Sequence, residues 1–475
     1  MAALIRYRNA YNSIGTLLVP MLLAACMQAA PIQLPTTALP ALQAANQQTT
    51  TISALAQWWQ PWNDPVLATL LTRVGQQNTD LLAARARLQQ TRRELSFVDR
   101  QFLPELHFIT QDVVAPNGVD TFFQFGFDAT WEMDLYGRKQ ARQRLGESEL
   151  LKQAAQTRGL LISLTAEVLR SYLEMQAIAM QSDYVSHWLT INQQLESALE
   201  KQQQLGLEDR RARWPMQQAA SKMRQQLAEL QQQQQDNLWR LTVLSGMDQP
   251  DAAWAQRRMT TFPMLSLPSL PLSVLESSPG VMQAQAVVLR TAGELGLAHA
   301  DLFPSITLTG GYFFSHNVTQ NHTLQGEFNE APAFGPNIDI PLLDLHKRLQ
   351  HLQAEQSGLR ASLLEYQSAV RQAWLDTHHD LLAFAAETAQ LKEENQQNTQ
   401  IQDHTLADRQ RLQLGLGTTV TVLEDQLHEL EHAVQTCQAQ LRYSIAYLAV
   451  YKAVGGAYLE SAEKKSTPMP QRQPG

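Results

Sequence analysis

The sequence has few cysteines, few charged residues and no hydrophobic run long enough to cross a bilayer. Its two cysteines, Cys26 and Cys437, cannot form a disulfide framework or a cysteine-based zinc or iron–sulfur site, so redox chemistry is not expected. Charged residues make up 17% of the chain and its net charge is -8, which disfavours nucleic acid as a partner because phosphate binding needs a basic surface. A mean hydropathy of -0.28 excludes a polytopic helical membrane protein.

Motifs that would support catalysis are also scarce. No glycine-rich phosphate loop, serine elbow or pair of catalytic carboxylates lies in a suitable strand–turn–helix setting. The segment His428–His432 matches the H-E-x-x-H motif of zinc proteases. Both histidines lie just off the apolar stripe of a predicted helix, which indicates a solvated face, and the next acid beyond the helix, Glu460, lies in a polar tail. We therefore predict no enzyme, no cofactor and no metal site, with a zinc hydrolase as an alternative.

The amino terminus has the features of an export signal. Two arginines precede an apolar run from Ile14 to Ala25, which is about 12 residues long and shorter than the ~20 that a membrane-spanning helix needs. The run ends in Leu-Ala-Ala before Cys26, which resembles the lipobox of bacterial lipoproteins. We predict that residues 1–25 are a signal peptide and that Cys26 is the lipid attachment site. Met27, rather than aspartate, follows the cysteine, which by resemblance to lipoprotein sorting favours the outer membrane.

The rest of the chain contains an internal repeat. Asp80–Pro104 matches Gly280–Pro304, and Trp131–Arg138 aligns with Pro341–Arg348, with the landmarks in the same order. Self-similarity at a long spacing indicates repeated supersecondary units. The predicted organisation is a signal peptide (1–25), a lipidated linker (26–65), repeat 1 (66–250), a proline-containing linker (251–269), repeat 2 (270–458) and a polar tail (459–475).

Each repeat is predicted to contain a helix, two β-strands, a very long helix and a return helix. The strands are predicted from a strict alternation of apolar and polar residues, which gives a sheet with one apolar and one polar face. In the first repeat the apolar positions are Phe123, Phe125, Phe127, Ala129 and Trp131. The long helices are predicted over about 138–205 and 345–414, where proline is absent. In the last helix Cys437 lies on a near-heptad apolar stripe, which predicts a small buried hydrophobic side chain.

An alternating sheet is compatible with an ordinary half-buried sheet or with a transmembrane β-barrel. In an exported lipoprotein the pattern favours the barrel. Four strands per chain cannot close one, because open sheet edges are not tolerated in hydrocarbon and small bacterial barrels have about 8 strands. The chain is therefore predicted to form oligomers, and these patterns do not distinguish two copies from three.

Several motifs resemble those of the TolC-like, NodT-type family of outer-membrane efflux lipoproteins. They are Trp58-Trp59, Asp64-Pro65, Trp131–Arg138, Asp301–Ile306, Pro341–Asp344 and Ala453–Tyr458. The resemblance implies a mainly α-helical fold with a transmembrane β portion: a trimeric 12-stranded outer-membrane β-barrel continuous with a long periplasmic α-helical barrel. It also implies a passive exit channel for drugs or other small toxic molecules, which docks on an inner-membrane pump through a periplasmic adaptor.

The resemblance also implies a gate at the periplasmic end, made by polar and charged contacts near the helix turns. It puts Arg411 at the arginine position of the family's gate and Glu424 at its acidic position. Both turn regions contribute further residues. The predicted gate residues are Arg411, Glu424, Glu208 and Asp209, and the predicted adaptor-contact tips are Leu205, Gly206, Leu414 and Gly415.

The sequence alone leaves two other functions open. A periplasmic coiled-coil scaffold lipoprotein would have the same helices but water-soluble hairpins. Export of a protein instead of small molecules would use the same architecture as efflux.

Overall fold

The computed structural model of the protein describes residues 34–35, 62, 64–98, 100–114, 121–205, 213–256, 262–265, 272–317 and 329–455. The elements in chain order are α1 (Pro65–Gln77), α2 (Thr79–Val98), β1 (Glu105–Val114), β2 (Thr121–Met133), α3 (Arg138–Gln204), α4 (Trp214–Leu244), α5 (Pro279–Ala300), β3 (Ser305–Asn317), β4 (Asn329–Asp339), α6 (Leu345–Gln413) and α7 (Thr419–Ala453). Two short 3-10 helices, Ala252–Ala255 and Leu272–Ser277, lie between α4 and α5.

The two long helices confirm the prediction from the proline-free segments. Helix α3 has 67 residues and α6 has 69, and each ends one residue before the predicted boundary. Neither helix contains proline, so each interior residue keeps the backbone N–H that the helix hydrogen bonds need. Among the described helices, none combines the length and the apolar composition that a bilayer-spanning helix requires.

The chain forms two compact units, and each contains residues from both halves of the sequence. The sheet unit comprises the described parts of Met1–Thr36, Arg87–Ala154 and Met282–Ser368. The helical unit comprises the described parts of Thr37–Ala86, Ala155–Val281 and Ala369–Gly475. The division therefore cuts across the two predicted repeats, because each half of the sequence supplies strands to one unit and helix pairs to the other.

The sheet unit contains one antiparallel sheet with the strand order β1-β2-β3-β4. Phe108 on β1 lies opposite Phe127 on β2, which in turn lies opposite Tyr312 on β3. The fourth strand contains Phe334 and Ile338 and ends at Asp339, two residues before Pro341. Within the described residues, β1 and β4 each pair with a single neighbour, so the sheet has two edges.

The core of the helical unit is made by apolar side chains from its main helices. Tyr172 and Leu173 of α3, Leu241 of α4 and Tyr443 of α7 have no exposed surface in this unit. Burial of apolar surface stabilises such a core by roughly 25 cal/mol per Å².

The predicted apolar stripe on α7 packs into two clusters. Cys437 and Leu448 belong to this core, whereas Leu423 and Leu427 belong to a second cluster with Trp188 and Leu195 of α3. Leu423, Leu427 and Leu448 are buried. Cys437 is 2% exposed, in agreement with the prediction, and its thiol donates a weak hydrogen bond to the Ala177 carbonyl at 3.6 Å.

Candidate functional site

The sheet separates apolar and polar side chains onto opposite faces. Directly opposed residues of neighbouring strands point to the same side of a sheet, so the register assigns each residue to a face. The apolar face consists of Leu106, Phe108, Phe123, Phe125, Phe127, Ala129, Trp131, Ile306, Leu308, Tyr312, Phe314, Phe334 and Ile338. The predicted alternation is thus present on β2, and these apolar residues of β3 and β4 share its apolar face. Strand β1 follows it only at Leu106 and Phe108, because its register puts Ile109 on the opposite face and Thr110 on this one.

The apolar face is exposed instead of being covered by other described parts of the sheet unit. Leu106 is 68% exposed, Phe108 60% and Phe334 90%. The rings nevertheless pack against each other: the centroids of Phe125 and Phe314 lie 5.3 Å apart in a stacked pair, and those of Phe108 and Phe127 lie 5.4 Å apart edge to face. Soluble monomers rarely expose an apolar surface of this size, which indicates a binding or membrane surface.

The opposite face carries mostly hydrogen-bonding groups. Gln111 donates to the Gln124 side chain across β1 and β2 at 3.3 Å, and Thr309 donates to the Gly335 carbonyl at 3.3 Å. Asp128 lies between its partners His107 and Gly311 on the same face. Such a surface is suited to water and to polar solutes.

Where the strands join α3 and α6, the two arginines at the ends of the aligned motifs, Arg138 and Arg348, both contact Asp301. Arg138 Nη2 lies 2.8 Å from Asp301 Oδ1, and Arg348 Nη1 donates to the Asp301 backbone carbonyl at 2.5 Å. Arg348 Nε also lies 2.7 Å from Asp344 Oδ2, and this hydrogen bond lowers the pKa of the Asp344 carboxyl. These groups line a cleft of about 550 Å³ at the junction of the strands with α3 and α6. The cleft therefore presents both charge signs.

The turn between α6 and α7 contains the predicted tip residues Leu414 and Gly415. The Leu416 N–H donates to the Arg411 carbonyl at 2.8 Å, and Gly415 has a φ of 74°, as in the common αL helix ends. Thr418 caps α7, because its side chain accepts a hydrogen bond from the Thr421 N–H at 3.1 Å. Leu414 is 74% exposed, so the tip offers an apolar contact surface.

The predicted gate residues Arg411 and Glu424 both lie near this turn, but they are not paired within one chain. Arg411 Nη1 is 3.3 Å from Asp408 Oδ1 on its own helix, whereas Glu424 is exposed and forms no ion pair among the described residues. The neighbouring Asp425 is largely buried, and this burial, together with the Asp408 carboxyl, raises the pKa of the Asp425 carboxyl. Both predicted gate groups are therefore available for contacts with another chain.

Other predicted site residues lie partly outside the described residues. Cys26, Gly206, Glu208 and Asp209 fall outside them. Leu205, which follows the last residue of α3, is 73% exposed.

The histidines of the H-E-x-x-H segment do not share one environment. His428 is exposed, but the prediction that His432 lies on a solvated face is wrong, because it is 7% exposed. Its Nε2 lies 3.2 Å from Gln397 Oε1 and 3.4 Å from Glu394 Oε2, and its Nδ1 lies 3.3 Å from the Thr436 hydroxyl. Both ring nitrogens of His432 are thus engaged between α6 and α7.

One side-chain cluster was not predicted from the sequence. His404, Asp408 and Asp425 come together near the α6–α7 turn. A spacing of four residues puts His404 and Asp408 on one helix face, but only the hairpin brings Asp425 to them.

Comparisons with known proteins agree with this architecture. The model of the family described as "Outer membrane efflux protein" matches residues 70–247 and 270–456. The chain is 27% identical to the pyoverdine export outer membrane protein OpmQ of Pseudomonas aeruginosa over 441 residues, which cover 86% of this chain and 88% of the relative. It is 22% identical to the probable outer membrane lipoprotein SilC of Salmonella typhimurium, over 85% of this chain and 88% of that protein.

The fold is also similar to that of a solved outer-membrane channel. The structure of OprN superposes with a TM-score of 0.76 at 20% sequence identity, covering 91% of this chain and 99% of that chain. At this identity the likeness concerns the fold.

Proposed function

Because this chain belongs to the outer membrane efflux protein family, we propose that it is the outer-membrane exit channel of a tripartite efflux system. It carries drugs or other small toxic molecules from a periplasmic adaptor and an inner-membrane pump to the outside. Transport through it is passive, and the energy comes from the pump.

The observation that carries this proposal is the two-faced, exposed sheet. In a transmembrane β-barrel each strand has one apolar face toward lipid and one polar face toward the lumen. The register of β1–β4 gives this sheet one mainly apolar and one mainly polar face in the same way. An edge in hydrocarbon would leave backbone N–H and C=O groups without partners, so β1 and β4 need other chains to pair with. Three chains supply 12 strands, and we propose a homotrimer in which β1 of one chain pairs with β4 of the next.

Small molecules are the proposed substrates in preference to proteins. The name of the OpmQ relative assigns pyoverdine export to that protein, which supports a low-molecular-mass substrate here. The polar sheet face, with its glutamine and threonine side chains, is compatible with a hydrated path for such solutes.

A lipid on Cys26 would attach the amino terminus to the outer membrane. The proposal rests on the lipobox-like residues before Cys26 and on the relative SilC, whose name describes a probable outer membrane lipoprotein.

The turn regions are proposed to form the periplasmic gate and the contact with the adaptor. Arg411 and Glu424 are exposed near the α6–α7 turn and would interact with neighbouring chains around the threefold axis, together with Glu208 and Asp209. The side chains of Leu205 and Leu414 are also exposed, but they are apolar and so suit contacts with another protein better than a charged gate. With Gly206 and Gly415 they form the proposed adaptor-contact tips.

Matched charge substitutions on the two sheet faces test the channel. Phe108→Asp with Phe127→Asp introduces two carboxylates on the apolar face, and Gln111→Asp with Gln124→Asp introduces two on the polar face of the same strands. We expect the first variant to lose the trimer and its single-channel currents, because charge on a lipid-facing strand is destabilising. The second should keep the trimer and gain cation selectivity.

The measurements are the mass of the detergent-purified protein and its conductance in planar bilayers. The proposal would be overturned if the wild-type protein were a stable monomer in detergent-free buffer and gave no conductance in bilayers. That result would favour a soluble scaffold. Equal behaviour of the two variants would contradict the assignment of the faces.

A further inference from the structure

A histidine and two aspartates face each other across the helices α6 and α7. His404 and Asp408 lie one turn apart on α6, and Asp425 lies on α7. His404 Nδ1 is 3.8 Å from Asp408 Oδ2 and 3.7 Å from Asp425 Oδ1. One ligand atom from each residue lies within 4.8 Å of the other two.

At these distances the imidazole of His404 makes no hydrogen bond to either carboxylate. Both imidazole–carboxylate distances exceed the usual hydrogen-bond range. Asp425 Oδ2 is fully buried and has no hydrogen-bond partner among the described residues. A buried carboxylate oxygen without a donor is costly, and a cation held between this carboxylate and that of Asp408 would reduce the cost.

The side chains of the two aspartates are mostly buried, whereas that of the histidine is mostly exposed. The side chain of Asp408 is 13% exposed and that of Asp425 is 19% exposed. Arg411 Nη1 contacts Asp408 Oδ1, and the other oxygen of this carboxylate faces the imidazole. His404, with 69% of its side chain exposed, borders a cleft of about 360 Å³ that Gln400 and His428 also line.

We propose that His404, Asp408 and Asp425 bind one divalent transition-metal ion of the zinc type, which joins α6 to α7 beside their turn. An imidazole nitrogen with two carboxylate oxygens is a usual protein ligand set for zinc, and the open cleft leaves a fourth position for water. Bonds of about 2.1 Å hold tetrahedral ligand atoms about 3.4 Å apart. The two imidazole–carboxylate distances, 3.8 and 3.7 Å, are a few tenths of an ångström longer, so small side-chain adjustments would bring His404 to the ligand distance.

The ion would act as a cross-link between two helices. Because His404 and Asp408 belong to α6 and Asp425 to α7, binding would stabilise the folded hairpin over states in which the helices separate. Ion binding here does not depend on the proposed transport function.

Titration calorimetry with ZnCl₂ tests the site on the full-length, detergent-purified protein without a polyhistidine tag. We expect one Zn²⁺ per chain with micromolar affinity, and at least tenfold weaker binding in both His404→Ala and Asp425→Asn. A Co²⁺ titration should give visible absorption bands that the two variants lack. CaCl₂ should give no comparable binding, because calcium prefers oxygen ligands alone.

The matched control is His379→Ala. His379 is also an exposed α6 histidine beside an aspartate, with its Nδ1 3.6 Å from Asp380 Oδ1, but among the described residues it belongs to no group of three possible metal ligands. It should bind Zn²⁺ like the wild type, and circular dichroism should show the same helix content in all variants. Wild-type Zn²⁺ affinity in His404→Ala and Asp425→Asn would overturn the site, as would equal binding of Ca²⁺.

Discussion

At the scale of single residues, buried polar groups tie the helical unit together. The Tyr443 hydroxyl accepts a hydrogen bond from the Leu265 N–H and donates one to the Leu265 carbonyl, both at 2.7 Å. Burial raises the pKa of this hydroxyl, so it remains a neutral donor and acceptor at physiological pH. A single side chain on α7 thus satisfies both backbone groups of a residue in the segment before α5.

Replacement of Tyr443 by phenylalanine should destabilise the protein by about 1–3 kcal/mol, because it leaves the buried N–H and C=O of Leu265 without partners. Chemical denaturation in detergent, followed by circular dichroism, measures the free energy of unfolding. Tyr136→Phe is the control: Tyr136 stacks on Phe303 at 4.7 Å, and its hydroxyl makes no hydrogen bond among the described residues. Similar losses in the two variants would argue against the role of the Leu265 bonds.

At the scale of elements, the ends of the helices are set by glycines with positive φ. Gly246 follows α4 with a φ of 69°, and Gly415 follows α6 with a φ of 74°. Their surroundings differ. A Cβ atom at Gly246 would lie 2.6 Å from the Gln77 carbonyl oxygen, whereas one at Gly415 would meet nothing within 4 Å.

This difference predicts unequal effects of the same substitution. Gly415→Ala should cost about 1 kcal/mol, the usual penalty of the left-handed conformation for a residue with a Cβ atom. Gly246→Ala should cost at least about 2 kcal/mol, since the backbone near Gln77 must also move. Thermal unfolding of the two variants measures which substitution destabilises the protein more. A larger loss of stability in Gly415→Ala would contradict the contact assigned to Gly246.

At the scale of the whole molecule, a single chain provides only part of the proposed channel. The open sheet edges and the exposed apolar face need neighbouring chains and lipid, and the exposed charges near the α6–α7 turn need partners. In the proposed trimer these charges come together around one axis, where Coulomb interactions between chains would hold the periplasmic end closed.

Removal of the two gate charges should therefore increase leak through the closed channel. Arg411→Ala with Glu424→Ala is expected to raise the basal conductance in planar bilayers several-fold. Lys392→Ala with Glu393→Ala removes the same charge types from exposed positions elsewhere on α6 and should leave the conductance unchanged. A double gate variant with wild-type conductance would reject Arg411 and Glu424 as the gate.

The elements and their faces were largely determined by the sequence itself. Alternation fixes the faces of β2 because successive side chains on a strand point in opposite directions, and the proline-free segments define α3 and α6 because a helix needs every interior N–H. These are local relations, which a pattern along the chain records directly.

Only the tertiary structure decided which distant residues meet. The solvated-face prediction failed for His432 because the burial of a position beside an apolar stripe depends on the neighbouring helix, here α6. The contact of Arg138 with Asp301, and of His404 and Asp408 with Asp425, likewise depends on packing between segments far apart in sequence. Periodicity specifies the direction of a side chain from its own helix or strand, whereas its partner is selected by how the elements pack.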